Sequence, residues 1–166
     1  MIIEDIILNR NESSVTTQTF TIKVDVDKES SSKFHDITDT IEQLISKSKV
    51  TSGIAVIFSK HTTSAIVIQE NEPLLLEDLS NTLECIAPKK AKYKHNDFNI
   101  RTVHMHANEC PNGHSHCQHL VLGSSETIPI VDNSLTLGNW QRIFHVELDK
   151  EGPASYREII VQLLGT

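Results

Sequence analysis

One stretch limits the fold more than any other: residues 15–27 alternate strictly between apolar and polar. Phe20, Ile22, Val24 and Val26 fall on one side, and Thr19, Thr21, Lys23 and Asp25 on the other. A two-residue period carried by β-branched side chains predicts a half-buried antiparallel strand, which needs partners at its edges and a layer over its apolar face. Around it, residues 2–8 read as a preceding strand and 9–14 as the turn between the two. The period then changes. Ile37, Ile41, Leu44 and Ile45 recur at helical spacing, with Asp36 as the expected N-cap and the end near Lys49.

Gly53 opens a uniformly apolar run at 54–58, expected to be a buried strand. Residues 59–64 interrupt it and 65–68 resume extended structure. Pro73 stands where the first turn of a second helix should be, a place where its missing N–H costs nothing. Leu76, Leu79, Leu83 and Ile86 supply that helix's stripe, and Pro88 stops it. Strands are expected at 127–131 and 134–137 around an Asp132-Asn133 turn, at 140–148, and at 156–164 after Gly152-Pro153. Seven or eight strands, often adjacent in sequence, with two or three helices define an α+β fold. Its expected core is a largely antiparallel sheet or sandwich with the helices packed on it.

The length of 166 residues favours one domain, 1–166, able to fold on its own core. A formal charge of −7 argues against a nucleic-acid partner, and Lys89, Lys90, Lys92 and Lys94 read as a solvated linker. Three cysteines without a disulfide framework predict a reducing, cytoplasmic setting. The first ten residues carry an acidic pair within their apolar run, unlike a signal peptide, and no run approaches the ~20 apolar residues of a membrane span.

Chemistry concentrates at 93–125. Six of the nine histidines lie there, His95, His104, His106, His114, His116 and His119, with Cys110 and Cys117 and the charges of Asp97 and Arg101. Imidazoles gathered this way suit proton transfer, metal binding or anion binding. As a strand, 114–119 would put His114 and His116 on one face. As a helix it aligns His116 with His119 and turns His114 away. The turn-like Asn112-Gly113 favours the helix, with His116 in its first turn, near the positive end of the helix dipole. No zinc-finger spacing is present, and several of these histidines also fit the part of plain loop residues.

Elsewhere, His61-Thr62-Thr63-Ser64 separates two strands ahead of Glu70 and Glu72, either as a ligand-bearing corner or as a hydroxyl-rich turn. Gly123-Ser124-Ser125 offers N–H and hydroxyl donors of the kind that bind phosphate. On strand 140–148, Gln141, Ile143, His145 and Glu147 share a face that reads equally as a site wall or a solvated surface.

The strings HTTSAIVIQEN, YKHNDFNIRT, NGHSHCQHLVLGSS and LGNWQRIFHVELD resemble, in that order, the YjbQ-like proteins, also called secondary thiamine-phosphate synthases. The likeness runs from about Gly53 to the C-terminus. It implies an α+β fold, usually a homotrimer or a dimer of trimers, with a polar cavity near subunit boundaries that often holds a divalent metal, zinc or magnesium, or an anion. His61, Glu70, Asn71 and Glu147 match the catalytic positions. Lys60, Thr62, Arg101, Ser124 and Gln141 become candidates for substrate or phosphate binding, and His61, His95 and His116 for the metal. His104, His106, Cys110 and His119 fall outside the shared pattern.

The activity implied is transfer: hydroxymethylpyrimidine diphosphate joined to thiazole phosphate, releasing diphosphate. The alternatives are a metal-dependent hydrolase or lyase on a small phosphorylated metabolite, and a trimeric ligand-binding protein without catalysis. No nucleic-acid or membrane partner is expected.

Overall fold

The alternating segment forms a long strand of a large sheet, second from its edge. Strand β1 (Ile2–Ile6) pairs with β2 (Thr16–Asp25), whose Phe20, Ile22 and Val24 are buried as the alternation requires. The computed structural model describes residues 2–6, 15–30 and 33–166. The turn expected at 9–14 and the end of the first expected strand lie outside those residues. Next in chain order come β3 (Phe34–Asp36), α1 (Thr38–Lys47), β4 (Gly53–Ser59), β5 (Ser64–Gln69) and α2 (Pro73–Ile86). A short 3-10 turn, Lys94–Asn96, leads to α3 (Gly113–Leu122). The chain ends with β6 (Ser125–Val131), β7 (Ser134–Leu135), β8 (Arg142–Glu147) and β9 (Tyr156–Gly165).

Six strands form one sheet in the order β1-β2-β9-β4-β6-β7, and three form a second in the order β3-β8-β5. Every pairing among the described strands is antiparallel. Between the sheets lies the main core. Ile22, Ile57, Ile159, Val161 and Leu163 come from the large sheet, Ile66 and Ile143 from the small one, and Ile41, Leu44 and Ile45 from α1. A second cluster covers the other side of the small sheet, where Phe34, Ala65, Phe144 and Val146 meet Leu76, Leu79 and Leu83 of α2 and Leu122 of α3. Each aliphatic side chain removed from water in this way contributes roughly 1.5–3 kcal/mol. The layers are therefore the large sheet, then the small sheet beside α1, then α2 and α3.

Several local expectations need correction. The apolar run at 54–58 is buried on one face only: Ala55 and Ile57 point inward, while Ile54 and Phe58 are exposed. Strand β8 is the doubly covered one, because its sheet is packed on both sides, so Ile143 and His145 of the expected polar face are buried inside, Gln141 before the strand is exposed, and Glu147, itself buried, borders a pocket at the strand's end. It also begins at Arg142. Trp140 precedes it and is 73% exposed, not aligned with Phe144. The three-residue β3 carries too little pattern to be seen in sequence. At α1 the nominal cap is Ile37, and Asp36 accepts hydrogen bonds from both the N–H and the hydroxyl of Thr38. Helix α2 starts with Pro73 as expected, and Glu72 caps it through both carboxylate oxygens.

Candidate functional site

Three imidazoles scattered along the chain reach one pocket. His61 stands at the β4–β5 corner, His95 in the 3-10 turn and His116 in the first turns of α3, and all three line a pocket of about 580 Å³. The contact between the last two depends on a glycine. A Cβ on Gly113 would lie 2.6 Å from the Cβ of Tyr93, closer than any real contact. With no side chain there, the turn seats against the start of α3, and the Gly113 N–H donates to Asn96 Oδ1 at 2.8 Å. His95 and His116 thereby come edge to face, with ring centroids 4.7 Å apart.

Burial lowers the pKa of His61, and the Arg157 charge lowers it further; burial and then His95 do the same to His116. Both rings are thus held neutral near pH 7. His61 Nε2 accepts a hydrogen bond from the Glu158 backbone N–H at 2.9 Å. A neutral ring accepting at Nε2 carries its proton on Nδ1, so His61 offers the pocket a donor and no lone pair for a metal. Among the described residues no group of three His, Cys, Asp or Glu side chains is arranged to hold a metal ion. His61, His95 and His116 share a pocket here but do not form a metal-ligand set.

The charged groups around them are largely paired. Arg101 lines the pocket and makes a double contact with Glu109, at 2.6 and 3.1 Å. Arg157, also lining it, donates twice to Glu147, at 2.7 and 2.9 Å. Glu147 is 1% exposed and also accepts the Asp149 N–H. It therefore acts as Arg157's counter-charge, which leaves it poorly placed as a proton acceptor for a substrate. Besides Glu109, the carboxylate that lines the pocket is Asp149, held by Asn112 Nδ2 at 2.8 Å and by the Gly152 N–H.

The other expected positions divide. Thr62 lines the pocket. Lys60 pairs instead with Glu158 at 2.5 Å. Ser124 lies outside the pocket, its Oγ 3.0 Å from His119 Nε2. Glu70, Asn71 and Gln141 sit at the opposite end of the small sheet. There the Asn71 amide donates to Asp36, itself bound to Arg142, and the Gln141 side chain accepts the Gly138 N–H. The register sets Ser64 against Glu147 and Gln69 against Arg142, so the two ends are about 17 Å apart at ~3.4 Å per residue. A single chain does not bring Glu70, Asn71 or Gln141 to the histidines. His104, His106 and Cys110, which the shared pattern leaves out, do line the pocket. Asp149, Asn112 and Arg157 are additions, and only Arg157 had a readable signal: it is a charge in the otherwise apolar inward phase of β9.

An antiparallel two-sheet α+β domain with a histidine pocket at one end of the smaller sheet is the class these features define. The family model described as UPF0047 protein YjbQ-like matches residues 22–166, and the chain belongs to that family. It is 39% identical to a UPF0047 protein of Methanothermobacter thermautotrophicus, over 78% of this chain and 81% of that one. A UPF0047 protein of Methanocaldococcus jannaschii is 38% identical, over 78% and 83%. Among solved structures, a YbjQ-like protein of unknown function from Sulfolobus solfataricus superposes with a TM-score of 0.76 at 34% identity, covering 92% of this chain and 99% of that one.

Proposed function

We propose that the histidine pocket binds a small phosphorylated metabolite and that the protein is a transferase of the thiamine-phosphate synthase type. The observation that carries this reading is the convergence of His61, His95 and His116 with Arg101 and Arg157 on one pocket. In such a reaction the thiazole nitrogen's lone pair forms a C–N bond to the pyrimidine's methylene carbon. The C–O bond breaks, and its electron pair leaves with diphosphate. No proton passes between the reactants, so what the chain must supply is stabilisation of the departing charge. Imidazole N–H groups and the remaining guanidinium donors of the two arginines suit that task. Glu70, Asn71 and Gln141 join it only if a second copy of the chain carries the far end of its small sheet to this pocket. The homotrimer implied by the family resemblance is the assembly to test. Three free thiols, Cys85, Cys110 and Cys117, agree with a reducing compartment, the cytoplasm. Among the described residues no helix is long and apolar enough to cross a membrane.

Purified protein given hydroxymethylpyrimidine diphosphate, thiazole phosphate and Mg²⁺ should form thiamine phosphate, at a rate that falls by about 10²-fold or more in His116→Ala. Light scattering on the same sample should give a mass near three chains. No product, in an assay where an authentic synthase succeeds, overturns the reading. Metal-dependent hydrolysis has weaker support, since the imidazoles are not disposed as a ligand set; stoichiometric zinc in the purified protein would reverse that order.

A further inference from the structure

A second pocket, of about 500 Å³, shares Asp149 with the first and has no part in the reading above. Lys28, Lys33, Lys89 and Lys150 line it, together with His114. A chain of net charge −7 has thus gathered four ammonium groups from separate segments around one cavity. Lys89 pairs with Glu151 at 2.5 Å. Lys28 and Lys33 are held differently, on neutral oxygens: Lys28 donates to the Gly152 carbonyl and Lys33 to the Gln118 side-chain oxygen, each at 3.1 Å. Lys150 donates to the Ser30 carbonyl at 2.7 Å. Of the four carboxylates on the same wall, Glu147 and Glu151 are neutralised by Arg157 and Lys89. Asp149 and Glu84 are held by neutral donors, the Asn112 amide and the Lys89 backbone N–H, so three ammonium groups face two uncompensated carboxylates.

His114 adds an independent observation. It is buried, and its Nε2 lies 3.2 Å from the Ser115 hydroxyl, which donates to the Leu148 carbonyl at 2.6 Å. With the hydroxyl proton used there, Nε2 must carry the ring proton, which leaves Nδ1 a buried acceptor with no partner among the described residues. Burial lowers this ring's pKa, and the Lys33 and Lys89 charges lower it further. Lys33 is itself pushed down by burial, opposed by Glu84, and then by Lys150 and Lys89.

We propose that the lysine pocket is an anion site, distinct from the histidine pocket, which takes a phosphate-class anion of two or more negative charges through Lys28 and Lys33 with Lys150 beside them. An anion there relieves the mutual repulsion of the ammonium groups. A hydrogen phosphate also carries a P–OH, the donor that His114 Nδ1 lacks.

The test is calorimetric titration of the whole chain with sodium diphosphate at low ionic strength, where exposed charges are least screened. Saturable binding is expected, persisting in His116→Ala, where the histidine pocket is impaired, weakened about tenfold or more when Lys28→Gln/Lys33→Gln is added to that variant, and accompanied by a shift of the His114 ring nitrogens in NMR. Because Lys33 also supports Gln118, the exposed Lys28→Gln alone serves as the control for folding, with an expected weakening of about threefold. Three results overturn the site: no binding by folded wild-type protein, affinity untouched by either lysine variant, or affinity lost in His116→Ala. The last would assign diphosphate to the histidine pocket and so bears on the proposed function separately.

Discussion

His145 shows most plainly how this chain treats polar groups in its core. It is 1% exposed, and neither ring nitrogen has a hydrogen-bond partner among the described residues. The His35 ring lies 5.8 Å away between centroids. Burial drives its pKa down to about 3, helped by His35, Arg157 and His61. The consequence for stability has a definite sign. Below the ordinary histidine value of 6.5, the unfolded chain takes up a proton that the folded chain refuses. Stability therefore falls as pH drops from about 6.5 towards 3, at ~1.4 kcal/mol per unit from this group alone. Replacing the ring with a hydrocarbon of similar size removes both the unmet polarity and this proton uptake. His145→Leu should stabilise the protein by about 1–2 kcal/mol in urea denaturation at pH 7 and should flatten the stability profile between pH 6 and 5. A destabilised variant, or one with an unaltered slope, would mean that the ring has a partner in solution.

At the scale of elements, what could be read in the sequence was what local pattern writes. β2 and β9 alternate, α1 and α2 carry apolar stripes, and Pro73 marks a helix start; all four form where expected. The helical reading of the histidine segment also holds. His116 faces the first pocket and His114 the second, as turning by helical spacing requires. What stayed hidden was pairing between distant segments. Nothing in residues 140–148 tells that α2 and α3 cover one face of β8 while the large sheet covers the other, so His145 and Glu147 read as surface or site residues. The same limit applied to the site: Glu70 and His61 are nine positions apart in sequence yet lie at opposite ends of β5. The contact of α3 with the Lys94–Asn96 turn gives a prediction at this scale. Gly113→Ala forces the two apart and should cost about 1–3 kcal/mol by overpacking. Nuclear Overhauser contacts between the His95 and His116 rings should vanish with it, whereas a variant that keeps them would show that the backbone can shift to absorb the methyl.

For the molecule as a whole, the pair Glu147–Arg157 matters beyond its own bonds. Glu147 belongs to the small sheet and Arg157 to the large one, so the pair is a polar tie across the sandwich, at 2.7 Å and almost fully buried. Cutting one end leaves a guanidinium enclosed without its counter-charge. Glu147→Gln should therefore lose about 3–5 kcal/mol in chemical denaturation, and Glu147→Gln with Arg157→Met should recover much of it. Equal losses in the single and double variants would show that the tie contributes through packing and not through charge.

Strands β8 and β9 follow one another in the chain but belong to different sheets. The link between them, residues 148–155, is where the polypeptide steps from one layer to the other, and it carries Asp149, Gly152, Pro153 and Ala154 to the rim of the histidine pocket. Leu148, Asp149, Lys150 and Glu151 of the same link border the lysine pocket. Both chambers are thus hemmed by a single stitch of backbone. Lengthening that stitch by one residue would redraw both openings together while sparing every inter-strand register, so variation in ligand can arise at this seam without disturbing the fabric on either side.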